Sequence, residues 1–368
     1  MTAYFDGLVL LASGTRPAVA QLHRPEVGPG QVRVKVRAAG VCHSDLSMVN
    51  GTIRPSFPLV LGHEAAGEVV EVGEHVTRAA VGDHVVLNWQ PACRNCWFCA
   101  NDQPWLCSTS SGVASLENGV TLDGVPVHVA LGLGAFADQV VAPENAVIPV
   151  PAALDFEIAA LLSCGVLTGA GAVRNTAQVQ PGQSVVVIGL GGVGLSVVAA
   201  ARAAGASDVI AVDVSEAKKG LAEAAGATDF VVSSDALSKE IRGRTSGRGA
   251  DHAFECVGRA VTIRAAWRAT RRGGQVTVVG MGSNDDQVSL SALDIFSSAR
   301  ILRSSVYGSA DFDVEVPRLA DDVLSGRLSL DHLITDRITL ADIPDAFDRM
   351  SRGEGARSVV TIGQALLP

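Results

Sequence analysis

The sequence predicts an α/β protein in two parts, a β-rich domain and a doubly wound domain built on a parallel sheet. Three observations predict it. The run "GQSVVVIGLGGVGLSVVAAARAAGASDVIAVDVSEAKK", residues 182–219, reads as strand, turn, helix and strand in succession. The front of the chain is cut into short strand-like runs by breakers such as Pro25, Pro29, Pro55 and Pro58. The length of 368 residues, 48% of them hydrophobic, suffices for two or three separate cores.

Within the first of these runs, "SVVVI" is a buried parallel strand and "LSVVAAARAAG" a helix closed by Gly205. Between them Gly189, Gly191 and Gly194 occupy the G-x-G-x-x-G positions, with Gly192 and Val193 in the same turn. The first glycine permits the tight turn, the second lets a pyrophosphate approach the backbone, and the third packs helix on strand. Asp213 follows Gly189 by 24 residues at the end of "VIAVD", where a carboxylate accepts hydrogen bonds from ribose hydroxyls and repels a 2′-phosphate. No arginine immediately follows it, so NAD is expected rather than NADP. The rhythm continues through "ATDFVV", "ADHAFECVG" and "GGQVTVVGMG" as short strands, with "AVTIRAAWRAT" as an intervening helix. In the front segment, Val32, Val34 and Val36 of "QVRVKVR" alternate with charged residues as in a half-buried strand. The tail strand "ARSVVTIG" is expected to return to that first domain.

Composition excludes several classes of function. The formal net charge is −9, the basic residues are scattered and aromatics are only 4%, so a nucleic-acid surface is not expected. The first twenty residues lack a basic start and carry Asp6 ahead of their short apolar run, which reads as a strand rather than a leader. No apolar stretch reaches the length of a membrane span, and a cytoplasmic protein is expected.

Four of the seven cysteines, Cys93, Cys96, Cys99 and Cys107, cluster in "PACRNCWFCANDQPWLC", residues 91–107. An odd total argues against a closed disulfide framework, whereas C-x2-C-x2-C-x7-C spacing can present four sulfurs tetrahedrally to a structural zinc with no open position. The neighbours Arg94, Asn95, Asn101 and Asp102 point to a polar surface lobe. Two further cysteines lie beside chemically useful company. Cys42 sits in "GVCHSDL" just past a strand, His63 and Glu64 head the strand-like "LGHEAAGEVVEVG", and Cys164 lies in "LLSCGVLTGAG". Two cysteines and a histidine are the ligands of a catalytic zinc that keeps its fourth position open. The residue types alone favour the plainer reading of buried thiols and a satisfied histidine. Cys256 has no such company and is expected in a core.

These motifs, in this order and over the whole chain, resemble the zinc-dependent medium-chain alcohol dehydrogenases. The resemblance is carried by "GVCHSDL", "LGHEAAGEVVEVG", the four-cysteine lobe, "LLSCGVLTGAG", "VIGLGGVG" and "VDVSEAK". It implies a chaperonin-10-like barrel catalytic domain from residues 1–165 and 306–368, a Rossmann NAD-binding domain at 166–305, and an active site in the cleft between them. It implies Cys42, His63 and Cys164 as catalytic zinc ligands, Asp45 orienting His63, Glu64 behind the metal, and Ser44 taking the alcohol proton. It further implies Lys218 beside Asp213 at the ribose, and His43, Arg259 and Arg357 as cofactor contacts. Trp89 and Phe136 match positions that wall the alcohol pocket, with Ile53 and Met281 farther out. One departure is Ser47, where many relatives carry the histidine that ends the proton relay.

The resulting expectation is an enzyme with two zinc ions per chain and NAD, moving hydride between a primary alcohol and its aldehyde. Sugar alcohols are disfavoured because the third ligand is Cys164 rather than a carboxylate. Oxidation of a formaldehyde–thiol adduct is the alternative, weakened by the absence of Lys and Arg from residue 108 to 173. A non-enzymatic zinc- and NAD-binding redox-sensing module is the contrasting class, disfavoured because the open ligand set and Ser44 are all present. The long segment from Cys107 to Cys164 is similar to that of dimeric relatives, so a homodimer is expected.

Overall fold

The computed structural model describes residues 4–109, 112–116 and 118–363. By its contacts the chain divides into two compact units. One comprises residues 1–165, 311–324 and 334–368; the other comprises 166–310 and 325–333.

In the first unit, Val32, Val34 and Val36 of the strand Gln31–Gly40 point inward and are fully buried. That strand is the hub of one sheet. It pairs antiparallel with Glu64–Val72, with Gln139–Pro143 and with the tail strand Arg357–Thr361. The tail therefore does return to the front of the chain, with Val359 opposite Gly40. Arg33 departs from the alternating pattern. Its side chain is buried as well, because Glu71 accepts from its Nε at 2.7 Å and the Pro25 carbonyl accepts from its Nη2 at 2.7 Å. A second sheet is built around Tyr4–Leu10, flanked by Ala18–His23 and Leu59–Val60. A single apolar cluster joins the two sheets, drawing Leu8 and Leu10 from one and the inward valines, Val69, Val85 and Leu87 from the other.

The second unit holds a six-stranded, all-parallel sheet. In spatial order its strands are Asp229–Val232, Asp208–Asp213, Ser184–Ile188, Ala250–Glu255, Thr270–Val278 and Ile301–Ser304. Numbered along the chain this is 3-2-1-4-5-6, the doubly wound dinucleotide-binding order, which reverses beside Ser184–Ile188. All five residues of that central strand are buried, as expected of a strand covered on both faces. Helix Gly192–Ala203 follows it and ends at Ala204, with Gly205 at φ +83° supplying the left-handed turn that stops the helix. No helix among the described residues is long and apolar enough to cross a membrane.

Candidate metal centres and nucleotide site

Cys42 ends the segment after the hub strand and sits at the N-cap of the short helix His43–Val49. Asp45 in the first turn of that helix is completely buried, and its carboxylate closes three contacts. Oδ2 accepts from the Cys42 backbone N–H at 3.3 Å, while Oδ1 accepts from the Gly62 N–H at 3.1 Å and faces His63 Nδ1 at 3.1 Å. One side chain thus fixes the positions of Cys42 and His63, which are 21 residues apart in sequence. Gly62 is required at this junction: its φ is +98°, and a Cβ there would lie 2.3 Å from the Phe136 nitrogen.

The structure brings Cys42, His63, Glu64 and Cys164 together, with one candidate ligand atom from each lying within 4.8 Å of all the others. Cys42, His63 and Glu64 are almost completely enclosed. With Nδ1 engaged by Asp45, the other ring nitrogen of His63, Nε2, is buried without a hydrogen-bond partner. A buried, unsatisfied imidazole nitrogen beside two thiols is costly unless a metal takes its lone pair, so the donor set fits zinc. The Cys42 thiol is held well below its usual pKa by hydrogen bonding with Cys164 and by the Arg357 charge, against the effect of burial. It is therefore poised as the thiolate that zinc binds.

Beside this candidate donor set Glu64 and Arg357 form a buried contact that the motifs do not reveal. Glu64 Oε1 stands 3.2 Å from Arg357 Nη2, both side chains being nearly solvent-free, and Arg357 Nη1 donates to the Val41 carbonyl at 2.9 Å. Burial pushes the Glu64 carboxyl up to about 8, with the Arg357 charge opposing. Two glycines make room for this pair. A Cβ on Gly165 would fall 2.1 Å from Arg357 Nη2, and one on Gly40 would fall 2.3 Å from Glu64 Oε2. Arg357, expected at the cofactor from the resemblance, has its guanidinium engaged here.

Around this centre, Ser44 Oγ lies 3.9 Å from Cys42 Sγ, and exposed His43 places Nδ1 3.5 Å from Ser47 Oγ. Half-buried Trp89 stands perpendicular to the His63 ring with centroids 6.4 Å apart. Phe136 is fully buried in the core, and Ile53 packs against the same cluster.

The second metal candidate is the lobe. Cys93, Cys96, Cys99 and Cys107 bring their sulfurs within 4.8 Å of one another, and their neighbours Arg94, Asn95, Asn101 and Asp102 are exposed. The backbone N–H groups of Cys93 and Cys96 point at Cys107 Sγ and Cys93 Sγ, each at 3.3 Å. The N–H groups of Cys99 and Ser108 lower the Cys96 thiol to about 5. Four cysteines so placed could, as thiolates, fill a tetrahedral zinc and would leave it closed. The lobe is also tied down by Arg94, which donates to both carboxylate oxygens of Asp311 at 2.6 and 2.7 Å and to Asp313 at 2.6 Å. No local pattern signals that clamp, whose partners are more than two hundred residues away.

In the parallel-sheet unit, Gly189 takes φ +92°, and a Cβ on Gly194 would lie 1.8 Å from the Gly189 oxygen. Around Gly191, at the N-cap of helix Gly192–Ala203, a Cβ would meet nothing within 4 Å, and Val193 is half-buried in the first turn. Free N–H groups and open space at a helix N-terminus suit a pyrophosphate. Asp213 accepts one backbone N–H on each oxygen, from Leu190 at 2.8 Å and from Ser215 at 3.0 Å, which aims it while leaving lone pairs for ribose hydroxyls. Lys218 is buried nearby, its ammonium disfavoured by burial and supported by Asp213. Arg259 is the exposed N-cap of helix Ala260–Ala269, and Met281 is exposed. Cys256 is half-buried rather than in the core, because it lies just past strand Ala250–Glu255, where the sheet opens into its loops.

Comparison with known proteins agrees with both halves. Residues 28–152 match the alcohol dehydrogenase GroES-like domain, and residues 192–321 match the zinc-binding dehydrogenase domain. The chain is 35% identical over 362 residues to an S-(hydroxymethyl)glutathione dehydrogenase of Escherichia coli, covering 96% of this chain and 98% of that protein. The chain belongs to the zinc-dependent medium-chain alcohol dehydrogenases. A solved alcohol dehydrogenase zinc-binding domain protein from Burkholderia ambifaria superimposes with a TM-score of 0.92 at 31% identity, over 98% of this chain and 99% of that one. Benzyl alcohol dehydrogenase from Acinetobacter calcoaceticus gives 0.91 at 29% identity, over 98% and 100%. The family is that of zinc-containing oxidoreductases that use a nicotinamide dinucleotide, so the two-part fold, the enzymatic reading and both cofactor classes inferred from the sequence hold for this member.

The two metal candidates predict unequal behaviour. Wild-type protein should carry two zinc ions per chain by elemental analysis. Cys42→Ser should retain one, abolish turnover and leave the thermal transition nearly in place. Cys93→Ser should lower the transition by roughly 5 °C or more, because metal-binding energy in a closed site is folding energy. Full activity with a single zinc would contradict this assignment.

Proposed function

We propose that this enzyme oxidises primary alcohols to aldehydes, reversibly, with NAD, at a zinc held by Cys42, His63 and Cys164. The observation that carries this reading is the enclosed donor set with an unsatisfied His63 Nε2, in a chain that also has a ribose-directed carboxylate at Asp213. When bound, zinc supplies Lewis acidity at the substrate oxygen and the nicotinamide supplies the hydride acceptor.

The protein's own groups do the rest. Asp45 holds His63 by Nδ1 so that Nε2 faces the ligand cluster, and it pins Cys42 through the backbone. Arg357 places a buried positive charge beside the thiols, and Glu64 packs against its guanidinium, both out of solvent. Ser44, next but one to Cys42, holds a hydroxyl that takes the alcohol proton. Ser47 has no pKa near neutrality, so onward transfer falls to water or to a neighbouring ring such as His43. Trp89 beside His63 gives the substrate side an aromatic wall, suited to small or flat primary alcohols.

A second reading, oxidation of an S-hydroxymethyl thiol, is supported by the names of the curated relatives. It is opposed by the lack of any Lys or Arg between residues 108 and 173 to hold an anionic thiol. A homodimer is supported by the edge strand Ile301–Ser304, whose four residues are all exposed, and by Leu293 and Phe296 on the preceding helix, 75% and 84% exposed. An unpaired apolar edge is a template for a second copy of the same edge. A monomer in sedimentation velocity would contradict this.

The deciding experiment is a panel of alcohols and S-hydroxymethylglutathione scored by NADH and NADPH absorbance. Primary alcohols with NAD should give the highest kcat/KM, and Asp213→Gly should move preference toward NADP. Wild-type enzyme using NADP as well as NAD would overturn the cofactor assignment, and turnover confined to the thiol adduct would overturn the substrate class. Trp89→Ala should raise kcat/KM for a secondary alcohol such as 2-butanol relative to ethanol, since the indole no longer excludes the branch. An unchanged ratio would remove Trp89 from the pocket.

A further inference from the structure

Strands Ser184–Ile188, Ala250–Glu255 and Thr270–Val278 are parallel neighbours, so the turns that follow them emerge along one edge of the sheet. In open sheets of this order the dinucleotide lies along that edge. The turns at 256–259 and 279–282 touch backbone to backbone. A Cβ on Gly258, whose φ is +82°, would lie 2.5 Å from the Met281 carbonyl. One on Gly280 would lie 2.2 Å from the Gly258 nitrogen, and one on Gly282 would lie 2.7 Å from the Gly258 oxygen. No side chain fits between them, and the two turns form one shelf.

Glu255 holds that shelf. Its carboxylate is completely buried at the end of its strand. Oε1 accepts from the N–H groups of Val257 and Gly258, each at 2.9 Å, and from the Thr262 hydroxyl at 2.7 Å, while Oε2 accepts from Gly258 at 3.1 Å. Its backbone carbonyl accepts from Val279 at 2.8 Å and Gly280 at 2.9 Å, so one residue pins both turns. The shelf also abuts the phosphate turn: a Cβ on Gly189 would come within 2.5 Å of Val257 Cγ2. Burial pushes the carboxyl up, while the Thr262 hydroxyl and the N–H donors oppose it. A charged group buried at this depth is costly, and an apolar side chain would be cheaper if burial were its only role.

The strand order separates the two halves of the ligand. Asp213, the ribose carboxylate, ends a strand on one side of Ser184–Ile188, and the shelf lies on the other side. We propose that Glu255 is a positioning residue for the nicotinamide half of the dinucleotide, holding the turns at 256–259 and 279–282 in the shape against which that half docks. The inference rests on the dinucleotide reading above and adds a residue that none of the motifs singles out.

The test compares NADH with AMP, which carries only the adenosine half. Both are titrated against the zinc-loaded wild type, Glu255→Gln and Glu255→Leu, by fluorescence for NADH and calorimetry for AMP. Glu255→Leu removes the side-chain acceptors that hold the 256–259 turn, keeps the backbone carbonyl that receives Val279 and Gly280, and should raise the Kd for NADH about tenfold; Glu255→Gln, which keeps one side-chain acceptor oxygen, should raise it less. The Kd for AMP should stay within about twofold in both variants, an asymmetry that a general loss of packing would not produce. Unchanged NADH affinity in Glu255→Leu, or a parallel weakening of NADH and AMP, would overturn the proposal. If Glu255→Leu does not fold, Glu255→Gln decides by the same criterion: selective weakening of NADH supports the proposal, and none overturns it. Wild type that binds neither compound would remove the dinucleotide reading itself, and this inference with it.

Discussion

The donor set of the proposed catalytic zinc depends on one buried carboxylate. Asp45 ties the helix that begins at Cys42 to the strand that begins beside His63, using two backbone N–H groups and one imidazole nitrogen. Hydrogen bonds to an ionised group contribute roughly 1.5–3 kcal/mol each, more than neutral ones, and all three here are shielded from water. The consequence is chemical as well as structural. By occupying Nδ1, Asp45 sets which nitrogen of His63 is left for a metal, so the same contact that closes the fold chooses the tautomer.

The rest of the centre follows from making room around that linkage. Gly62 lets the chain turn past Phe136, while Gly40 and Gly165 leave space for Glu64 and Arg357. The result is an enclosed cluster of two thiols, an imidazole, a carboxyl group and a guanidinium. The lobe is built on a different plan. Its four sulfurs come from one short stretch, receive backbone N–H groups, and are less enclosed, with Cys107 alone of the four buried and Arg94 tying the stretch to the unit. On the proposed assignment, the four-sulfur lobe would fill a metal completely, whereas Cys42, His63 and Cys164 would leave it a free position.

The sequence made the parallel sheet and the lobe legible because both are local. The glycine turn, the helix after it and Asp213 lie within one short run, and four closely spaced cysteines need no long-range contact to be suspicious. The convergence of Cys42, His63 and Cys164 was not readable from spacing, since it depends on how separate strands pair; it came from the resemblance to a known family. Other features were invisible for the same reason. The alternation in "QVRVKVR" gave no sign that Arg33 is buried, where Glu71 accepts from its Nε and three strands pair with its own strand. The Glu64–Arg357 pair joins residues almost three hundred positions apart, and Glu255 sits in a strand whose pattern suggested only burial.

The central claim is that Cys42, His63 and Cys164 form an open metal position. The most direct measurement replaces the more exchangeable zinc with cobalt(II) and records the thiolate-to-metal charge-transfer spectrum while NADH and an unreactive carboxamide analogue of the aldehyde are added. One cobalt per chain should give a charge-transfer band that shifts when the analogue binds and is lost in Cys42→Ser. A spectrum that ignores the analogue, or that survives in Cys42→Ser, would contradict the claim.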